Sequence, residues 1–457
     1  MKQFLFVVLF FGLNLAQARP HSGAQGGVTH SPVRDQENSE ICWAFTVNGL
    51  VEAEFHKSQL AADIPASDRR SWEELSPMYL SFYHFYFQVR DNLEYFAQLK
   101  TQIEAGNVEL KDSVDKTYAL MKSSRGLNDS TVPDSEPPSD LFVPDVGNIE
   151  KLAMRELAEA GLMPESQFHA HITDEETEAA LEKSIPTFIY QNIFSEDSSR
   201  LALYKKTARH GHSIGTNDPL YQDLQKLFIS QLQVMSTGRD GKEKPLSHVP
   251  TPNESFSFNE HNYTPRVFMT KYLKFNPHRF VSRVMTLDTA EESLAAIVDN
   301  LKHNYTTPIG IMLFADVNSK NTQTATELAT ESGIFDDQYC SGPLADDPEK
   351  FSCHKDGGGH EMLAVNWIES DEGKITGLIV KNSWGNVGRD VDGNTLDSND
   401  PEQLHRLGYY IITAEWLRDS ANPEIGSPYD FILNDDVAAR HPKLQQQWIP
   451  TKQTLGN

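Results

Sequence analysis

The sequence predicts an α+β protein, because helix-like and strand-like patterns occupy different stretches of the chain. Helical periodicity dominates residues 19 to 165, and residues 166 to 285 contain further helix-like segments such as DEETEAALEKSI. Residues 286 to 435 contain apolar, β-branched runs that are typical of strands. We therefore expect a helical lobe, a helical insertion and a β-rich lobe in that order, followed by a C-terminal tail at residues 436 to 457.

The N-terminus has the features of a signal peptide. Lys2 supplies a positive charge, residues 4 to 15 are mainly apolar, and Ala16-Gln17-Ala18 provides a small-residue cleavage site. The apolar stretch is too short to span a bilayer, and no later run approaches the ~18 apolar residues that a spanning helix needs. The sequence therefore predicts that residues 1 to 18 are removed and that the mature chain is exported, secreted or periplasmic, without an integral membrane segment.

The charge of the chain constrains its partners. Forty basic residues against 65 acidic residues give a formal net charge of −25, and no basic block interrupts this composition. A surface of this sign repels a phosphate backbone, so we expect no nucleic acid ligand. A peptide or protein partner is compatible with the charge, and the sequence leaves the oligomeric state open.

A helix is predicted directly after Cys42. Trp43, Val47, Leu50 and Val51 recur at helical spacing, so one face of this segment can be buried. The spacing places the Cys42 sulfur at a helix N-terminus, where backbone N–H groups and the helix dipole favour thiolate over thiol. Cys42 is therefore a candidate nucleophile.

Two downstream segments complete a candidate catalytic set. His360 lies in GGGHEMLAVNW and Asn382 in IVKNSWGNVG, and each is expected to begin an apolar strand. A thiol, an imidazole and a carboxamide supply an attacking group, a base and a group that orients the base. We expect a Cys42 thiolate and a His360 imidazolium at rest. Trp384, two residues after Asn382, would lie on the same side and shield the bond between Asn382 and His360 from water.

Gln36 is a candidate oxyanion donor just before the predicted helix. Its side-chain amide can point toward the same place as the Cys42 backbone N–H, and two such donors stabilise a tetrahedral intermediate. Taken singly, these residues have ordinary explanations, such as a small buried cysteine or an asparagine in a turn. Their combination favours acyl transfer.

Three ordered motifs resemble those of the papain-like cysteine peptidases, peptidase family C1. They are Gln-x5-Cys-Trp-Ala-Phe from Gln36, Gly-His before an apolar strand at His360, and Asn-Ser-Trp-Gly from Asn382. Ser39 stands where the cathepsin-type signature has its first cysteine, and the separation of Cys42 from His360 far exceeds the roughly 130–150 residues of the short cathepsin-type chain. Both departures favour the bleomycin hydrolase and aminopeptidase C branch, which lacks that cysteine.

The resemblance implies a two-lobed papain-like fold, with a helical lobe, an antiparallel β-barrel-like lobe and a helical insertion over the groove. It implies hydrolysis of peptide bonds by the same cysteine, histidine and asparagine, with the glutamine in the oxyanion hole. It also assigns Gly147, Trp384 and Gly359 to the substrate-binding surface. No cofactor is implied.

Departures from the branch keep a second interpretation open. Its double glycine on the groove wall appears here as Val146-Gly147, and Glu40-Ile41 replaces small or basic residues beside the nucleophile. These changes would narrow the groove beside Cys42 or alter its charge. The alternative is therefore a catalytically weak or inactive papain-fold scaffold that binds partners at the cell surface or in the periplasm. Substrate preference, and endopeptidase or exopeptidase action, are also left open.

The two remaining cysteines, Cys340 and Cys353, lie in the loop that runs into His360. In an oxidising compartment they can form a disulfide that closes this loop, and the sequence leaves open whether they do so or stay two thiols. The acidic loop after Asn-Ser-Trp-Gly does not match an EF-hand pattern, so no metal site is predicted.

The predicted cleavage site lies close to the SPVRDQ segment, with only about a dozen residues between them. So short a segment cannot cross a groove and fold, so the sequence predicts no N-terminal proregion. We expect any gating to come from the helical insertion or the C-terminal tail.

Overall fold

The computed structural model describes residues 27–36, 41–62, 73–122, 150–171, 187–195, 200–207, 214–231, 235–237, 243–312, 334–335, 359–385, 407–421 and 429–444. The predicted signal peptide, Gly147, Cys340 and Cys353 lie outside these residues. The acidic loop after Asn-Ser-Trp-Gly and the end of the C-terminal tail also lie outside them.

Helices form the N-terminal part of the described chain. They are α1 (Cys42–Ala61), α2 (Pro77–Asp91), α3 (Leu93–Glu104), α4 (Val108–Lys122) and α5 (Glu150–Ala160). The first helix begins at Cys42, as the sequence predicts. Ser76 caps α2 by accepting a hydrogen bond from the Tyr79 backbone N–H at 3.4 Å. Among the helices that the structure describes, none is both long and apolar enough to cross a membrane.

Short helices and two small antiparallel sheets follow in the middle of the chain. The helices are α6 (Arg200–Thr207), α7 (Pro219–Lys226) and α8 (Pro265–Val267), with π-helical turns at Tyr190–Phe194, Leu227–Gln231 and Phe268–Tyr272. The first sheet contains β1 (Ala170–His171), β2 (Met235–Thr237) and β3 (Glu243–Pro245), and the second contains β4 (Phe256–Phe258) and β5 (His261–Tyr263). Buried aromatic residues of this region belong to the same core as α1 and α2.

A seven-stranded mixed sheet carries the downstream candidate residues. Its strands are β6 (Phe280–Met285), β7 (Thr307–Met312), β8 (Ile334–Phe335), β9 (Gly359–Glu369), β10 (Ile375–Lys381), β11 (Tyr409–Thr413) and β12 (Tyr429–Asn434). Their order is β6-β12-β7-β9-β10-β11-β8, and neighbours are antiparallel except for β11 and β8. β6 precedes residue 286, where the β-rich lobe was expected to begin.

Apolar residues cover both faces of this sheet. Leu363 and Val365 of β9 join the core that contains α1, whereas Met362 and Ala364 join a second core. This alternation follows from the two-residue period of a strand. The second core is closed by α9 (Ala290–Lys302), α10 (Ala414–Ser420) and α11 (Asp435–Ala438). The sheet therefore lies between α1 and the later helices, an α+β arrangement as predicted.

Candidate active site

Cys42 occupies the first position of α1. Ile41, the residue before it, provides no side-chain cap, and its carbonyl accepts the Ala44 backbone N–H at 2.9 Å. Cys42 is half-buried, while Trp43 and Ala44 are buried. The sulfur therefore lies at the positive end of a 20-residue helix with part of the residue accessible, a setting that favours the thiolate.

The first turns of α1 lie against β9. The Thr46 hydroxyl, one turn after Cys42, donates to the Glu361 carbonyl at 3.2 Å. Gly49 allows this close approach, since a Cβ there would lie only 3.0 Å from a methyl group of Leu363. His360 immediately precedes Glu361, so this contact joins the first turns of α1 to the start of β9, where the candidate base lies.

His360 is buried at the start of β9 and bonds to Asn382. Its Nε2 atom lies 2.7 Å from Asn382 Oδ1, and the same oxygen accepts the Ser383 backbone N–H at 2.7 Å. A backbone amide can only donate, so the Asn382 atom that faces His360 is oxygen. His360 Nε2 is therefore the donor, and Nδ1 is the ring nitrogen that can take a proton from a thiol.

Asn382 follows a strand rather than beginning one, so that part of the sequence prediction is wrong. β10 ends at Lys381, and the Asn382 backbone N–H donates to the Gly408 carbonyl at 3.1 Å. The physical reason lies in its side chain, because Asn382 Oδ1 takes the Ser383 N–H that a longer ladder would use.

Trp384 covers one face of the imidazole. Its ring stacks on His360 with centroids 4.5 Å apart and planes 22° apart. The strand has ended by this point, and an antiparallel bridge to Asp35 holds the backbone instead. Gly385 follows with φ +74°, and a Cβ there would lie 2.6 Å from Asp35 Oδ2, so a glycine is required.

Gln36 contacts the segment that follows Asn382. Its backbone N–H donates to the Ser383 carbonyl at 2.6 Å, and the Ser383 hydroxyl donates to Gln36 Oε1. Ser383 thereby holds the oxygen of the amide, so Nε2 is the end that can donate to an oxyanion. The candidate oxyanion donor therefore lies at the same end of the sheet as the His360–Asn382 pair.

Burial sets the protonation of the candidate base. It lowers the pKa of His360 to about 4, and the hydrogen bond to Asn382 opposes that shift only in part. Burial by itself thus favours a neutral imidazole at neutral pH. The expected ion pair depends on the Cys42 thiolate, because a neighbouring anion raises the pKa of an imidazole.

The sequence interpretation missed a buried charge network behind the site. Lys381 Nζ donates to the Ser31 hydroxyl at 2.9 Å and to its carbonyl at 3.2 Å. Glu52 of α1 lies 3.7 Å from Arg34 Nη1. Burial lowers the pKa of Lys381 to about 8, and the charge of Glu52 opposes this shift. Two sequence features could have indicated this network: Lys381 ends an apolar strand, and Glu52 lies within an apolar helix.

A second missed feature is a pair of buried carboxyl groups beside the base. Glu361 follows His360 in β9, and Asp430 lies in β12; both residues are buried. Burial raises the pKa of Glu361 well above its ordinary range, and the charge of Asp430 raises it further. The only sequence signal was a glutamate at the start of an apolar strand.

Gly359 is exposed at the start of β9, and a Cβ there would meet no atom within 4 Å. It therefore borders open space beside His360. Gly147, Cys340 and Cys353 lie outside the described residues, so the structure does not place them. Within the described residues, no group of three or more histidine, cysteine, aspartate or glutamate side chains could hold a metal ion.

Comparison with known proteins finds distant matches among solved structures. No family model matches the sequence, and no curated protein matches it. The fold is similar to the crystal structure of PepW from Lactobacillus rhamnosis HN001, a selenomethionine derivative, with a TM-score of 0.43 and 14% sequence identity. The similarity covers 94% of this chain and 85% of that chain.

Proposed function

We propose that this chain is an exported cysteine peptidase with a papain-like, two-lobed arrangement. The observation that carries the proposal is the bond between His360 Nε2 and Asn382 Oδ1, made beside a helix that begins at Cys42. The contact between α1 and β9 supports the proposal, because Thr46 lies one turn after Cys42 and its partner Glu361 directly follows His360. A thiol, an imidazole and a carboxamide are the groups that acyl transfer needs.

In the proposed mechanism, the Cys42 sulfur attacks the carbonyl carbon of a peptide bond as a thiolate. His360 gives the proton on Nδ1 to the leaving amine and later takes a proton from the water that hydrolyses the thioester. Asn382 keeps His360 in one tautomer throughout. Gln36 Nε2 and the Cys42 backbone N–H stabilise the oxyanion.

A peptide digest tests the proposal most broadly. The mature chain, beginning at Arg19, is incubated with a peptide library, and the products are identified by mass spectrometry. We expect the wild type to cleave peptides without prior trimming and the Cys42→Ala variant to leave them intact with an unchanged melting temperature. Cleavage by Cys42→Ala at the wild-type rate would overturn the assignment.

The second candidate is a catalytically inactive papain-fold scaffold that binds partners. It is favoured by the burial that lowers the pKa of His360 to about 4, because this burial disfavours the imidazolium of an active pair. In the same digest, a scaffold would retain peptides without producing fragments. Fragments made by the wild type alone exclude it.

A further inference from the structure

Tyr410 lies next to the group that orients the base. It is the second residue of β11 and pairs with Val380 of β10, two residues before Asn382. Residues two apart in a strand share a face, and a long side chain reaches its diagonal neighbour on the adjacent strand. Asn382 lies just after β10, but its backbone N–H bonds to the Gly408 carbonyl, so the register with β11 continues to Asn382 and places Tyr410 diagonal to it.

The hydrogen bonds of the Asn382 amide to His360 and Ser383 use its oxygen and leave its nitrogen, Nδ2, without a described acceptor. Its oxygen accepts from His360 and from Ser383, whereas Asn382 Nδ2 is buried and reaches no acceptor with full hydrogen-bond geometry. A buried N–H without an acceptor is unfavourable. An acceptor that approaches this nitrogen slightly more closely would therefore stabilise the orientation in which the oxygen faces His360.

The Tyr410 hydroxyl is suited to this role. Burial raises the pKa of Tyr410 to about 12, and hydrogen bonding from Asn382 acts against that rise. The phenol is therefore neutral at the pH of peptide hydrolysis, and its oxygen can accept an N–H. Aromatic neighbours restrict the ring, since Trp384 lies edge-on at 5.9 Å and Phe335 at 5.6 Å between centroids.

We propose that Tyr410 is a positioning residue that accepts a hydrogen bond from Asn382 Nδ2 and so keeps Asn382 Oδ1 directed at His360. The same ring supports Trp384, which stacks on the imidazole. Tyr410 touches no reacting atom in this scheme and acts through Asn382. The inference rests on the proposed peptidase function and extends the triad by one residue.

The adjacent tyrosine provides a matched control. Tyr409 is also buried in β11, and burial likewise raises its pKa. Its hydroxyl lies 2.7 Å from Nε2 of His30, away from the candidate triad. Removal of either hydroxyl takes one buried polar atom from the same strand, so a difference between the two variants reports on position rather than on burial.

The kinetic test compares Tyr410→Phe and Tyr409→Phe in peptide hydrolysis. We expect Tyr410→Phe to lower kcat roughly 3- to 10-fold with KM almost unchanged, because the variant loses one hydrogen bond to Asn382 and a single bond has an effect of about this size. Tyr409→Phe should leave both constants within about 2-fold. In an Asn382→Ala background, Tyr410→Phe should have no further effect, because its target is gone. An equal loss in that background, or wild-type kcat in Tyr410→Phe, would overturn the inference.

A second readout does not need turnover. In the Cys42→Ala protein, NMR titration of the His360 imidazole should show a pKa lower in Tyr410→Phe than in Tyr409→Phe, by on the order of 0.5 unit, because a misoriented Asn382 no longer supports the charged ring. An identical titration in both variants contradicts the inference. If the wild type fails to hydrolyse peptides while this shift appears, the proposed function fails and the positioning contact stands.

Discussion

At the residue scale, Ser383 orients two candidate groups through two different atoms. Its backbone N–H holds Asn382 Oδ1 toward His360, and its hydroxyl holds the amide oxygen of Gln36. One residue thus orients the side-chain amides of both Asn382 and Gln36.

The protonation of His360 gives a prediction at this scale. In Cys42→Ala, we expect the imidazole to titrate near pH 4, because burial lowers its pKa and no thiolate opposes this effect. The folded-state pKa lies below the ordinary value of about 6.5, so the stability from keeping the ring neutral is complete above pH 6.5 and is lost as the pH falls toward 4. NMR of the ring measures this directly. The wild type should titrate at higher pH, and titration of both proteins at about 6.5 would show that burial does not lower the pKa of His360.

At the scale of elements, the local patterns were predictable and the long-range contacts were not. Helical spacing after Cys42 and the apolar run after His360 are local signals, and both elements form there. The end of β10 before Asn382 depends on a side chain that competes for a backbone N–H. The pairing of Lys381 with Ser31 depends on how distant segments meet, which periodicity does not encode.

The turn at Gly385 gives a prediction for the segment that carries Trp384. In Gly385→Ala, the new Cβ would meet Asp35 Oδ2 at 2.6 Å and carry the strain of φ +74°. We expect a loss of roughly 1–3 kcal/mol of stability and displacement of Trp384 from His360. Thermal unfolding and tryptophan fluorescence measure the two effects.

Gly373→Ala is the matched control for this prediction. Gly373 has φ +77° in the turn between β9 and β10, but a Cβ there meets no atom within 4 Å. Its variant should lose stability through backbone strain alone, about 1 kcal/mol, and keep wild-type peptide hydrolysis. If the two variants lose the same stability and activity, the contact with Asp35 does not hold the site.

At the scale of the whole molecule, acidic residues outnumber basic ones, and one pair of carboxyl groups is buried within the sheet. The net charge of −25 opposes compaction as carboxyl groups ionise, and the buried pair Glu361 and Asp430 adds to this effect inside the sheet. Both contributions weaken when the pH falls. We therefore expect the folded chain to be most stable at mildly acidic rather than alkaline pH.

Glu361→Gln tests the interior part of this expectation. The pKa of Glu361 is raised, so its contribution to stability is complete below about pH 4.5 and is lost as the pH rises. The side chain of the variant cannot ionise. The free energy of unfolding of the variant should therefore increase relative to that of the wild type as the pH rises from about 4.5 to 8. Denaturant unfolding at several pH values measures the gain. Glu369→Gln, an exposed change at the end of the same strand, should show no such gain; an equal gain there would contradict the role of burial.

Coupling between the Cys42 thiol and the His360 imidazole is the basis of the proposed activity, and the pH dependence of Cys42 alkylation measures it. A small alkylating reagent is applied to the wild type and to His360→Gln over a range of pH, and modification of Cys42 is followed by mass spectrometry. We expect rapid labelling of the wild type well below the ordinary thiol pKa of about 8.5, and a shift of the labelling profile toward that value in His360→Gln. Labelling of both proteins only above about pH 8.5, with superimposable profiles, would show that the thiol and the imidazole are not coupled.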